Sequence, residues 1–117
     1  MPVFVLLRVT SWIVLSQERE NEVGSLGHVY AVSGRVREAE NSIRMLDDLA
    51  KTIYVSPYQR AVIYAGLGKK DRALVFLEKA FGERSLTPNS LRFDPRLNEL
   101  RDDPRFQDFM RRTGIPL

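Results

Sequence analysis

The chain has no cysteine, one histidine and one tryptophan in 117 residues. Without thiols no disulfide framework and no thiolate-ligated metal can form, and a reducing, cytoplasmic setting is the expectation. A single histidine, His28, leaves a catalytic triad or a histidine metal site short of its usual parts. No apolar run approaches the ~20 residues a bilayer span needs. The longest, Pro2 to Leu15, is broken by Arg8, Thr10 and Ser11. It also lacks the basic n-region and small-residue cleavage site of a secretory signal, so no membrane partner is expected. Neither sign of charge dominates: 18 basic residues stand among 15 acidic ones, for a net +3. Nucleic-acid binding needs basic residues gathered on one face, and no nucleic-acid partner is expected.

With 44% apolar and 28% charged residues, residues 1–117 read as one globular domain of ordinary size. Its organising feature is a repeat. Leu26-Gly27, Tyr30, Gly34, Ala39, Ile43 and Leu46 recur 34 positions later as Arg60-Ala61, Tyr64, Gly68, Ala73, Leu77 and Ala80. Tyr, Gly and Ala are identical, whereas Leu26 against Arg60 is a mismatch. A fixed period of this length predicts stacked helical hairpins.

Residues 1–15 are apolar and rich in β-branched types, which favours strand. Val5, Val9 and Trp12 nevertheless share a helical face, and the place of the segment beside a helical array favours helix. Helix or strand, its surface must be buried, and Val5, Val9 and Trp12 are candidate oligomer contacts. Ser16 is placed to cap a first helix over about 17–32, with Glu18 in its first turn. Gly24 and Gly27 inside that helix each cost ~1 kcal/mol relative to Ala, which close approach of the next helix would offset. A second helix carries Val36, Ala39, Ile43, Leu46, Ala50 and Ile53 on one face, completing a first unit over 17–53. Ser56-Pro57-Tyr58-Gln59 reads as an N-cap, a first-turn proline and a capping box. It opens a second unit over 56–85, whose helices run to Leu67 and from about Lys70 to Gly82. The last of these buries Ala73, Phe76, Leu77, Ala80 and Phe81. Residues 87–117 form a cap in which Asp94-Pro95-Arg96-Leu97 recurs as Asp103-Pro104-Arg105-Phe106, the signature of two short helices. Leu91, Phe93, Leu97, Leu100, Phe106, Phe109 and Met110 are placed to close the stack.

The 34-residue unit resembles the tetratricopeptide repeat, matched by Leu26, Gly27, Tyr30, Gly34, Ala39 and Ile43, and then by Ala61, Tyr64, Gly68, Ala73, Leu77 and Ala80. The stretch from Tyr58 to Gly68 and the Asp-Pro-Arg tail look like the last repeat of bacterial multi-repeat proteins, and the likeness covers roughly residues 21–117. In many such proteins the repeats follow a DNA-binding, cyclase or kinase domain. The chain departs from the pattern at Val23 and Pro57, which stand where Trp is usual. Val5 and Trp12 also fall at positions that are normally small. The resemblance implies an all-α, right-handed stack of antiparallel hairpins. It assigns Leu26, Gly27, Tyr30, Ala39, Ala61, Tyr64, Ala73 and Ala80 to packing between helices.

By the same pattern a concave groove would present Asn21, Gly24, Ser25, His28 and Val32, then Val55, Tyr58, Gln59 and Val62, to a peptide or partner helix. A carboxylate-clamp ligand is not expected, because Gly24, His28 and Val62 replace the clamp residues. Asp47-Asp48 and Asp102-Asp103 are adjacent pairs, not the converging carboxylates of acid–base catalysis. Gly66-Leu67-Gly68-Lys69-Lys70 lacks the first glycine and the Ser or Thr of a phosphate loop. Arginines of the tail alternate with acids, as on a salt-bridged surface. The expected function is a non-catalytic, cofactor-free protein-interaction module, alone or as a fragment of a larger bacterial regulator. The alternative is self-assembly through the apolar N-terminal segment.

Overall fold

The computed structural model describes residues 3–114, with the side chains of 18–87 and 89–114. Among them every regular element is helical: α1 (Val3–Val32), α2 (Val36–Leu49), α3 (Pro57–Gly66), α4 (Lys70–Gly82), α5 (Pro88–Phe93), a 3₁₀ segment (Pro95–Leu100) and α6 (Pro104–Arg112). None is long and apolar enough to cross a membrane.

The two turns that carry the repeat have the same backbone. Gly34 and Gly68 adopt φ of 81° and 76°, left-handed values that favour glycine. Behind them the N–H of Arg35 donates to the Tyr30 carbonyl at 2.8 Å, and that of Lys69 to the Tyr64 carbonyl at 3.0 Å. Arg35 and Lys69 then share nearly one conformation, φ −88° with ψ 70° and 73°. Each turn folds a helix back on the one before, so α1 packs on α2 and α3 on α4. The tyrosines themselves sit in unlike surroundings. Tyr64 is buried and stacked on Phe76 at 5.5 Å, whereas Tyr30 is half-buried with the Arg35 guanidinium over its ring.

A third recurrence had no signal in the residue pattern. α2, α4 and α6 begin at residues 36, 70 and 104, each 34 positions after the last. Before α6 the chain is broken at Asp94-Pro95 into α5 and the 3₁₀ segment, because proline at 95 disfavours helical φ/ψ in the residue before it. Leu91, Leu97 and Leu100 of these two pieces still pack inward, fully buried with Phe106 of α6 and with Ile63, Leu46 and Leu77.

Several boundaries differ from the expected ones. Residues 3–32 form one continuous helix, so residues 3–15 take the helical alternative rather than the strand, and residue 16 lies inside the helix instead of at its start. No Gly or Pro interrupts the chain between Val3 and Val23, and each N–H from Leu7 onward has a carbonyl one turn behind it. α2 ends at Leu49, where Lys51 and Thr52 close 3₁₀-type turns on Asp48 and Leu49. The face expected to run from Val36 to Ile53 is therefore shorter, with Val36 and Ala50 exposed. Leu26, expected in helix packing, is 50% exposed, and Phe81 and Phe93 are exposed as well. Leu26 lies on a face that no described helix covers, whereas the half-exposed ring of Phe81 meets Phe109 of α6 edge-on, 5.9 Å between ring centres. Gly27, Ala39, Ala61, Tyr64, Ala73 and Ala80 do pack inside.

Candidate functional site

The fold presents three faces on which side chains from different helices converge, the first where α1, α3 and the 3₁₀ segment meet. Ser56 caps α3 as its sequence context predicts, accepting from the Tyr58 N–H at 3.1 Å. The reciprocal half of the capping box is not Gln59. Ser56 N–H donates instead to Glu20 of α1 at 2.8 Å, so the cap ties two helices together. Burial raises the Glu20 pKa, an effect partly offset by this hydrogen bond and by Arg60. Gln59 reaches Asn21 through Nε2 at 2.8 Å and lies across Gly24. Its Oε1 is buried and has no partner among the described residues. His28 Nδ1 donates to the Val62 carbonyl at 2.9 Å; the carbonyl can only accept.

The C-terminal cap closes this face. Tyr58 donates to Asp94 at 2.6 Å, while Arg96 chelates Asp94, stacks over the Tyr58 ring and reaches Ser25 Oγ at 3.3 Å. Burial alone would raise the Asp94 pKa. The hydrogen bonds from Arg96 and Tyr58 overcome it and hold the carboxyl at about 2. For Tyr58, burial and the adjacent Asp94 carboxylate push the hydroxyl well above its usual value. Arg101 donates to the Leu91 and Asp94 carbonyls at the end of α5, a role no local motif announces. Of the expected groove residues, Val55, Tyr58, Gln59 and Val62 are buried, with Tyr58 held by Asp94 of the cap and Gln59 by Asn21 of α1. Asn21, Ser25, His28 and Val32 remain exposed or half-exposed on α1.

The second face lies between α4 and α6, a shallow cleft of about 570 Å³ lined by Leu74, Val75 and Pro104. Ion pairs cross it from Arg105 to Asp71 and from Arg112 to Glu78. Asp103 caps α6 and Asp47 pairs with Arg60, so these carboxylates serve caps and ion pairs. Among the described residues no three His, Cys, Asp or Glu side chains converge as metal ligands.

The third face is the outer side of α1 and α2, where Arg19, Glu22, Leu26, Val29 and Met45 line an apolar groove of about 620 Å³. Leu26, Val29 and Met45 are 50, 55 and 45% exposed. One period later Val29 corresponds to Ile63, which is fully buried beside Gly27 of α1. The surface that α1 covers on α3 is therefore open on α1 itself. Residue-by-residue reading could not find this, since Leu26 has the same apolar character whether or not a neighbour covers it. Val5, Val9 and Trp12 belong to the helical backbone of α1, and their side chains lie outside the described residues. No family of proteins, no curated protein and no solved structure matches the chain.

Proposed function

We propose that the chain is a non-catalytic, tetratricopeptide-type module that makes protein–protein contacts, and that it does so through the outer face of α1 and α2. The repeat reading is supported by the two superposable turns and by helices starting at 36, 70 and 104. On this reading α5 and the 3₁₀ segment stand for the first helix of a degenerate third unit and α6 for its second. That reaches the number of units such stacks usually need. The observation that carries the contact surface is Val29, exposed where its counterpart Ile63 is buried by a neighbouring helix. An apolar patch of this kind, rimmed by Arg19 and Glu22, is the surface a partner helix would cover.

Affinity capture with the full chain tests the assignment. Leu26→Asp and Met45→Asp are expected to lose captured proteins, while Tyr58→Phe, on the closed face, is expected to keep them. Loss with Tyr58→Phe and retention with Leu26→Asp would sink it.

A further inference from the structure

α1 is 30 residues long, about 45 Å, whereas α2 spans 14 residues, about 21 Å. The contacts of α1 with the rest of the fold described above fall between Glu20 and Ala31. Its first half extends beyond them as helix. Along the open face Arg19, Glu22, Leu26 and Val29 follow one another at steps of three, four and three, and all four line the same groove. Continued backwards through the helix by the same steps, the register reaches Leu15 and Trp12. The stripe is thus Trp12, Leu15, Arg19, Glu22, Leu26, Val29: apolar at both ends, with one cation and one anion at its centre. Neither Arg19 nor Glu22 has an ion partner among the described residues.

This stripe is complementary to its own reverse. Laid antiparallel on a second copy about a two-fold axis between residues 20 and 21, Arg19 faces the partner's Glu22. Leu15 then faces the partner's Leu26, and Trp12 the partner's Val29. Every apolar position meets an apolar one, and the central charges pair twice. The overlap is about 24 residues, three to four heptads, the length over which such a pattern specifies pairing. A parallel arrangement would instead set Arg19 against Arg19 and Glu22 against Glu22.

We propose that the outer face of α1 is a homodimer interface in which the first half of α1 from one copy lies in the α1–α2 groove of the other, with Arg19 and Glu22 fixing the register. The inference rests on reading this face as the protein-contact surface and names its occupant as a second copy of the chain.

Sedimentation equilibrium of the full chain across a wide concentration range tests it. The expected species is a 27 kDa dimer, twice the 13.5 kDa chain, dissociating on dilution. Arg19→Glu alone and Glu22→Arg alone should each weaken it by roughly tenfold or more, since like charges then meet twice. The charge-exchanged double variant should restore it. Both side chains are exposed, and an unchanged helical circular-dichroism spectrum confirms that each variant folds. A chain that stays monomeric at every concentration overturns the proposal, as does a double variant that fails to recover. If that monomer still captures proteins through Leu26, the contact face survives without the second copy. A dimer indifferent to Leu26→Asp and to both reversals overturns both.

Discussion

Gly27→Ala offers the sharpest test of how α1, α2 and α3 fit together. A methyl group at residue 27 would stand 2.6 Å from Ile63 Cδ1, 2.8 Å from Ser42 Cβ and 2.9 Å from Ile63 Cγ1. Carbon atoms at van der Waals contact are about 3.5–4.0 Å apart, so all three are overlaps. Ser42 Cβ is bonded directly to the α2 backbone and cannot swing aside. Ile63 is fully buried and has no room to change rotamer. Alanine should gain about 1 kcal/mol of helix propensity over glycine, against an overpacking cost of about 1–3 kcal/mol. Because backbone must move, the upper part of that range applies, and the net loss should be about 1–2 kcal/mol. Urea unfolding followed by circular dichroism at two protein concentrations measures it, the second concentration separating folding from association. Gly24→Ala, one turn earlier, is the control. There the added methyl overlaps the amide end of the Gln59 side chain, which can swing aside at the expense of its bond to Asn21, and only touches Gln59 Cβ at 3.4 Å, so the change should stay within about 1 kcal/mol of neutral. Adding Ile63→Val to Gly27→Ala removes the nearest clashing atom and should recover about 1 kcal/mol relative to additivity. Gly27→Ala as stable as the parent, or no coupling to residue 63, would refute the three-helix contact.

Other outcomes follow from single contacts. Arg84 closes α4 with φ 57°, a conformation that disfavours residues with a Cβ by about 1–2 kcal/mol. Arg84→Gly should therefore raise stability by about 0.5–1 kcal/mol after the greater freedom of glycine in the unfolded chain is subtracted; thermal unfolding checks it. Asp94 has a folded pKa of about 2 against an ordinary 3.8, so its contribution is present above pH ~4 and lost as pH falls from there to ~2. Urea midpoints across that window should fall, and Tyr58→Phe, which removes one of the hydrogen bonds to the carboxylate, should flatten that part of the curve. Glu20 runs the other way. Its raised pKa means the folded state favours the protonated form, so its charge costs stability at neutral pH and the cost fades as pH falls. Glu20→Gln keeps an acceptor for Ser56 and should be neutral or stabilising at pH 7, by no more than about 1 kcal/mol. A loss well beyond that would mean the Arg60 attraction dominates.

Local chemistry was legible wherever one residue type suffices to set a backbone state. Gly34 and Gly68 mark the turns because only glycine enters the left-handed region freely, and Ser56, Thr87, Asp94 and Asp103 mark helix starts because their side chains accept from nearby backbone N–H groups. Gly24 and Gly27 announced a close helix approach for the same kind of reason, glycine inside a helix being costly unless its missing side chain is used. The period of 34 then followed from repetition of these marks. By contrast, the destination of a long polar side chain depends on residues far away in the chain. Gln59 turned to Asn21, Glu20 took over the Ser56 cap, and Arg96 crossed to Ser25 over 71 positions. Burial is likewise a property of neighbours: Val62 and Val29 are the same residue type, one sealed under α1 and the cap, the other left open on a face that no described helix reaches. The turns and caps could be read from composition and spacing, since their energetics are settled within a few residues. Which apolar face stays uncovered was settled only when three helices and a cap competed for the same space.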